Sequence, residues 1–507
     1  MNSTFMGLSI SSRGLYSSQA GLAVTSNNIS NVETTGYTRQ TLNQTSLTPA
    51  AVYAGRAIIG AGSTVNSVDQ VRSSLVDAKY WRENTSLGEW ETKSSLLTQV
   101  ETIVGDTTDS GFSTVISDFY DAMETLADDA SDSSARTNLL ETASSLCSYL
   151  NTMSTQLTDL QNDIDDAVKT SVEQVNSYAQ QIADLNTRIR EAAAVGASTN
   201  ELKDQRALLI DELSGLVEIN VTETTTGTNA DGSDATELTI YVDGMTLVDN
   251  NEYHEMECYT NSEGLYNIRW TDTGEDLDPG SGQLEGYLAV RDGDGTDYKG
   301  IPYYIEQLNT FAQTLAKAFN EGVYADGSTA STGGHAAGYS VDGTTTGIRF
   351  FTYDDLSTSD FLASGADMDA QYANITAANI SISADIQDDV DLIAASSDTT
   401  GEENNENIQA LITICDDDAM FAKGTPEDFM NSIISSLGTT SAYAQRIYDN
   451  KSTVVYNVSA TRSSISGVSS NEETAYLTQY QQAYSAAANM ISVWSDIYET
   501  TIDLLDD

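Results

Sequence analysis

Between Gly111 and Gly196 the chain contains neither glycine nor proline. The two residues that most readily interrupt a helix are missing from this stretch, so it is committed to helix unless a polar turn breaks it. Within it Leu157, Leu160, Ile164, Ala167, Ser171, Val175, Tyr178, Ile182, Leu185 and Ile189 recur at steps close to three and four. That period lays them along one face. The spacing predicts a long helix from about 150 to 192, with another over 112–126 packed beside it. Gly196 ends the long helix, and a shorter one follows over 201–213.

The period changes from residue 216. Segments 216–221, 237–242 and 265–270 alternate and carry β-branched and aromatic residues, with hairpin signals at Asp231-Gly232 and Asp243-Gly244. A β domain is therefore expected inside a helical one. Helix returns over 303–319, with Pro302 in its first turn. Residues 326–384 are rich in Gly, Ser, Thr and Asp and read as a second exposed insertion, partly β. Helices resume near Ile386 and run from Pro426 to Ser466, with Thr425 as N-cap.

Each end of the chain carries its own seam. Phe5, Leu8, Leu15, Leu22 and Ile29 share one side of a helix, with Ser12, Gln19 and Ser26 at the alternate positions. Asn27, Asn28 and Asn31 weaken that helix because their amides compete for backbone hydrogen bonds. Gly36 ends it, and Tyr37 to Gln40 leave extended. At the other end Leu477, Tyr480, Tyr484, Ala487, Ile491, Trp494, Tyr498, Thr501 and Leu505 repeat three, four, three, four. Ser470 and Glu473 stand where a capping box would start this helix. Met490, Ile497 and Leu504 widen the stripe beyond what one partner helix covers, so the ends can pair with each other and still offer apolar surface to further copies.

Lys and Arg number 22 against 76 Asp and Glu, a net charge of −54. Nucleic acid is excluded as a partner, since phosphate contacts need a basic surface. The first 100 residues hold seven basic and six acidic side chains, so nearly all of the acidity lies beyond them. A near-neutral N-terminal region can pack against copies of itself, while the acidic remainder favours solubility. Salt adaptation is the rival account of the excess acid, and the sequence leaves both open. No stretch resembles a secretory leader or a membrane span, so no membrane association is expected.

Chemistry has little material. Cys147, Cys258 and Cys415 stand more than a hundred residues apart, which is neither a disulfide framework nor a metal cluster, and buried free thiols are expected. Only His254 and His335 are present. His254-Glu255 begins like a zinc helix motif, but Cys258 occupies the second histidine's place on an apparent strand. Asp292, Asp294 and Asp297 hint at calcium, yet an EF-hand loop needs glycine and glutamate where Asp297 and Tyr303 stand. Asp416-Asp417-Asp418 reads as a solvated charge run. No catalytic residues, cofactor or metal are expected.

The segment SNNISNVETTGYTRQ (26–40) resembles the N-terminal signature of the bacterial flagellar rod, hook and junction proteins, and SGVSSNEETAYLTQYQQAYSAAANMIS (466–492) resembles their C-terminal one. GYTRQ (36–40), VEQVNSYAQQIADLNTRI (172–189), LKDQRALLIDELSGLVEINV (202–221) and the stretch 286–320 are similar to the hook-associated protein 1 (FlgK) family within that group. The start SSNEE and the bulky Trp494 depart from the pattern. The resemblance implies a mainly α fold with inserted β domains: paired terminal coiled-coil helices, a long-helix bundle domain and outer β-rich insertions. The corresponding division is 1–60 as an N-terminal axial helix and extended segment that pairs with the C-terminus, 61–215 as the first part of the bundle, and 216–280 as a β insertion. Then come 281–325 as a helical return, 326–385 as a second exposed insertion, 386–465 as the rest of the bundle, and 466–507 as the C-terminal axial helix.

The same resemblance implies a structural, non-enzymatic protein of the hook–filament junction, outside the cell and exported by the flagellar type III apparatus without a cleaved leader. The implied partners are further copies of the chain in a ring, the hook protein, the second hook-associated junction protein and an export chaperone. It places polymer contacts at Phe5, Leu8, Leu15, Leu22, Ile29, Leu477, Tyr480, Tyr484, Ile491, Trp494, Tyr498 and Leu505. Family motif residues fall at Asn27, Asn28, Asn31, Gly36, Tyr37, Arg39, Gln40, Asp204, Gln205 and Arg206. The alternatives are another axial component, such as hook or distal rod, a secreted enzyme on an axial scaffold, and a free-standing acidic coiled-coil adhesin.

Overall fold

The computed structural model describes residues 6–48, 50–52, 57–105, 111–228, 234–330, 333–362, 368–401, 404–421 and 424–506, without the side chains of 50–52, 57–59, 234 and 504–506. Phe5 and the Asp231-Gly232 signal therefore lie outside the described residues, as do the side chains of Leu504 and Leu505. In chain order the elements are helix α1 (Met6–Ser30), strands β1 (Gln40–Ser46), β2 (Ala50–Val52), β3 (Ala57–Ile59) and β4 (Ser63–Gln70), then helices α2 (Ser74–Val104), α3 (Phe112–Asp128), α4 (Ser133–Ala194) and α5 (Asn200–Leu216). Strands β5 (Asn220–Thr228), β6 (Asp234–Val242), β7 (Met245–Asp249), β8 (Glu252–Tyr253), β9 (Met256–Thr260) and β10 (Tyr266–Trp270) follow. The chain continues through α6 (Gln283–Asp292), α7 (Ile301–Glu321), β11 (Phe351–Tyr353), α8 (Thr358–Leu362), α9 (Met368–Tyr372), β12 (Ile380–Ile382) and α10 (Ala384–Asp388). It ends with α11 (Glu406–Cys415), α12 (Pro426–Ser466) and α13 (Ser470–Asp506). The fold is mainly α with small antiparallel sheets: β1-β4, β2-β3, β5-β6-β7-β8, β9-β10 and β11-β12.

Two compact units share the chain. The first takes residues 1–89, 170–285 and 449–507; the second takes 90–169 and 286–448. The stretch 61–215, expected as one part of a bundle, is thus divided between them, because long helices carry residues into both.

The core of the first unit is built on the C-terminal half of α4, where Val172, Val175, Ala179 and Ile182 are buried together with Ala207, Ile210 and Leu213 of α5 and Ile240 and Val248 of the sheet. Asn176 ties the helix to the β9-β10 pair through both ends of its amide, donating to the Met256 carbonyl and accepting from the Met256 amide, each at 2.8–2.9 Å. One expectation needs correction here, and another is met. The strand expected from 216 begins at Asn220, because Leu213, Ser214 and Leu216 are still buried as residues of α5. The hairpin at Asp243-Gly244 joins β6 to β7 with both residues at positive φ, 49° and 73°, the geometry that matches the twist of the paired strands.

The second unit is built round aromatic rings. Phe311 stacks on Phe421 with centroids 5.4 Å apart, Phe429 lies 4.8 Å from Phe421, and Phe319 meets Phe350 and Phe351 at 5.0 and 5.3 Å. The segment 326–385 is therefore not an exposed insertion. Its Phe350, Phe351, Phe361, Tyr372, Ile375, Ile380 and Ile382 are all buried, delivered in or beside strands and helices of three to five residues, too short to show a period in the sequence. The long helix also begins earlier than the predicted 150, at Ser133, since Ala135, Leu139, Ala143, Leu146 and Leu150 extend the same buried row.

Candidate functional site

In α1 the recurrent spacing is carried by more than the leucines. Gly7, Gly14 and Gly21 recur every seven residues, and Ser11, Ser18, Thr25 and Asn28 lie between and beyond them on the same face. That face meets α13, running antiparallel. A Cβ built on Gly7 would lie 2.2 Å from the Trp494 ring, one on Gly21 2.5 Å from the Tyr480 ring, and one on Gly14 3.9 Å from the Ala487 Cβ. Two large side chains of α13, Trp494 and Tyr480, thus sit where α1 has none. Ser11 and Ser18 donate back to the carbonyls of Gly7 and Gly14, so the small polar stripe leaves these hydroxyls satisfied.

This shifts the predicted seam. Leu8, Leu15, Leu22 and Ile29 are half-buried beside the contact, while Ser11, Ser18, Gly21, Thr25 and Asn28 fill it. Hydropathy alone picked out the leucine stripe, because glycine and serine give no apolar signal. On α13, Leu477, Tyr480, Ile491, Trp494 and Tyr498 are half-buried, whereas Tyr484 is exposed. Trp494 stacks on Tyr498 at 5.9 Å. Glu473 does not serve as the expected cap; it is 2% exposed and accepts from the Asn28 side chain at 3.0 Å, a partner from the other end of the chain.

Asn28 is the hub of the turn. Its amide oxygen accepts from the Gln40 backbone N–H and from the Tyr37 hydroxyl, and its amide nitrogen donates to the Gln40 carbonyl and to Glu473. The donors and the acceptor of a 1%-exposed side chain are all engaged. Asn31 donates to the Asn27 carbonyl and side chain, which holds the end of α1, and Gly36 reverses the chain at φ 79°. Burial, reinforced by Glu201, Asp204 and Glu473, pushes the Tyr37 hydroxyl up to about 12.

Of the remaining motif residues, Arg39, Gln40 and Asp204 make contacts at this turn. The Thr38 N–H donates to Asp204, Gln70 donates to the other Asp204 oxygen, and Gln40 reaches Glu201. Arg39 pairs with Glu472 while its N–H donates to the Ser466 carbonyl, so the turn is held to both α5 and the chain's return. Burial raises the Asp204 carboxyl above its usual range, against the lowering hydrogen bonds from Thr38. Arg206 donates to Asn186 and pairs with Glu223, whereas Gln205 faces solvent. Sequence reasoning missed Arg462, which pairs with Asp77 and Asp211 at 2.7 Å each and lies over the Tyr80 ring, joining α2, α5 and α12.

Residues weighed for chemistry have other employment. His254 pairs with Asp272, Asp292 holds Arg291, and Asp294 accepts from the Thr296 N–H within its own turn. Among the described residues no group of three or more His, Cys, Asp or Glu is placed to hold a metal ion, and no helix is long and apolar enough to cross a membrane. Cys147 and Cys415 are buried free thiols, while Cys258 is only half-buried.

Residues 97–351 match the family described as the flagellar hook-associated protein FlgK helical domain, and residues 8–38 match the flagella basal body rod protein family. Flagellar hook-associated protein 1 of Bacillus subtilis is 31% identical, the match covering 99% of both chains. Its namesake in Salmonella typhimurium is 26% identical over 97% of this chain and 98% of that one. The solved flagellar hook junction protein FlgK of Burkholderia pseudomallei shares the fold at a TM-score of 0.54 and 15% identity, covering 77% of this chain and all of that one. The chain belongs to the flagellar hook-associated protein 1 family, structural proteins of the junction between flagellar hook and filament.

Proposed function

We propose that the chain takes its place in the junction by packing its α1–α13 pair against the same pair in further copies, outside the cell and without enzymatic activity. The observation that supports this is the surface of the pair. Tyr16, Tyr476, Met490, Val493, Ile497 and Ile502 are 45–65% exposed although large and apolar. Burying such surface stabilises association at about 25 cal/mol per Å2. Charge in the pair is confined to Arg13 of α1 and to the two ends of α13, at Glu472, Glu473, Asp496, Glu499, Asp503 and Asp506. The only charged residue in α1 is Arg13, which donates to the Ala61 carbonyl, and residues 474–495 contain none. Copies can therefore approach along α1 and the stretch 474–495 without the repulsion that a net charge of −54 imposes elsewhere. The hook protein, the second junction protein and an export chaperone are the proposed partners, with export through the flagellar apparatus. The turn at 28–40 and Asp204 tie the pair to α5 within the first unit.

The test places charge on the exposed side. Met490→Asp together with Ile497→Asp touches residues 48% and 45% exposed, so the thermal unfolding of the isolated chain should stay where it was. In cells the variant should fail to enter the junction, leaving filaments absent or shed and flagellin in the medium. Normal filaments on electron microscopy would defeat the proposal. A large drop in melting temperature would mean that the stripe packs within its own subunit. A free-standing adhesin would lose neither filaments nor motility.

A further inference from the structure

The glycine row and the Asn28–Glu473 contact share one arithmetic. Gly7 faces Trp494, Gly14 faces Ala487, Gly21 faces Tyr480 and Asn28 meets Glu473, so the paired numbers sum to 501 at every contact. Each contact lies one heptad from the next on both helices. A row of identical notches fixes the phase of two helices and leaves their offset open. If α13 slid by one heptad, about 10.5 Å along the axis, Trp494 or Tyr480 would face Gly14 and find no Cβ in its way, while the other ring would leave the row. The Asn28–Glu473 contact does not repeat. A slide one way sets Asn28 against Tyr480; a slide the other way sets Glu473 against Gly21, which offers no side-chain donor. Either leaves a buried carboxylate without the amide that now serves it.

We infer that the terminal pair is registered by two separate devices: the glycine row receives the side chains of α13 and fixes phase, and the Asn28–Glu473 hydrogen bond selects the one heptad offset in use. A single buried polar contact is known to specify register in coiled coils in the same way. Here the selecting residue also holds both backbone groups of Gln40, so the offset of the pair is tied to the start of β1. The offset in turn decides which exposed residues of α1 and α13 stand level with one another. The inference concerns pairing within one chain and stands whether or not the pair packs against other copies.

The test uses the full-length chain with Cys147, Cys258 and Cys415 replaced by alanine. Gly14→Cys with Ala487→Cys places two sulfurs on Cβ positions 3.9 Å apart, inside the range a disulfide spans. This pair should close on mild oxidation, as read on a non-reducing gel. Adding Gly21→Leu, which fills the Tyr480 notch, should cut closure several-fold. Spin labels at the exposed residues Gln19 and Gln482, whose numbers also sum to 501, report the offset directly. The parent should give one distance. Glu473→Gln, which keeps an acceptor for Asn28, should give the same distance and the same closure. Glu473→Leu should lower closure and add a second distance population shifted by a heptad, with helix content on circular dichroism unchanged. A single parent-like distance in Glu473→Leu would overturn the assignment of offset to this contact. So would one broad distribution with lost helix, which would mean that the contact merely holds the pair together. Full closure with Gly21→Leu would overturn the role of the glycine row.

Discussion

His335 is buried between carbonyl and amide. Its Nδ1 lies 2.8 Å from the Ile348 carbonyl and therefore carries the proton, and its Nε2 accepts from the Ala394 N–H at 2.9 Å. A second proton would turn that acceptor into a donor pointed at a donor. The Phe319 ring stacks on one face with centroids 6.1 Å apart, and nothing in these contacts stabilises a cation by hydrogen bonding to Nε2. Burial pulls its pKa from 6.5 down to about 4. Between those values the unfolded chain binds more protons than the folded one, so stability falls as pH drops through that window and is fully present above about 6.5. The loss amounts to about 3 kcal/mol at roughly 1.4 kcal/mol per unit. His335→Gln should be less stable at neutral pH yet lose less on acidification, as read by denaturant unfolding at pH 7 and pH 4.5. Equal losses in both proteins would remove His335 from the account. Sequence patterns gave no hint of this role, because a lone histidine carries no period and its partners lie 13 and 59 residues away.

At the scale of elements, legibility tracked the kind of signal available. The long α12 was readable to its ends because Thr425 and Pro426 mark its start, and the structure supplies the reciprocal bonds: the Asp428 N–H donates to the Thr425 hydroxyl, which donates in turn to the Asp428 carboxylate. Thr425→Ala should cost about 1 kcal/mol, which lowers the melting temperature by roughly 2–4 °C in a domain of this size. Asp428→Ala should cost a similar amount. The double variant should fall short of the sum, because both changes break the same pair, and strict additivity in thermal melts would count against the reciprocal cap. The start of α4 was less legible, since the break before it is made by Asp129 in extended geometry and not by glycine or proline. The α1–α13 contact was half legible. Its existence followed from matched seams at the chain ends, but its face is lined by Gly7, Ser11, Gly14 and Ser18, which a search for apolar period passes over. The family motif at 27–40 was legible as a pattern, and the bond from Asn28 to Glu473 was not, because the residues are 445 apart.

For the whole molecule, salt adaptation and simple solubility as accounts of the acidity differ in the salt dependence of stability that each predicts. A net charge of −54 over 24696 Å2 of accessible surface is about one charge per ~460 Å2, or a spacing of roughly 21 Å. The screening length is about 10 Å at 0.1 M salt and about 30 Å at 0.01 M. Repulsion between neighbouring net charges is therefore largely screened at 0.1 M and largely unscreened at 0.01 M. Melting in KCl should show a rise between these concentrations and a plateau above about 0.2 M, where further screening has little left to remove. A chain adapted to concentrated salt behaves otherwise, gaining stability steadily into the molar range. Scans from 0.01 to 3 M KCl distinguish the two curves, and a melting temperature still climbing at 2 M would overturn the repulsion account. The same scans on the Met490→Asp, Ile497→Asp variant should superimpose on those of the parent, since two more charges add little to −54. Assembly should depend on salt more steeply than folding does. The charge-poor stretches of α1 and of residues 474–495 bring together bodies that each carry the full charge, so at 0.01 M the isolated chain should still be folded while its association is suppressed.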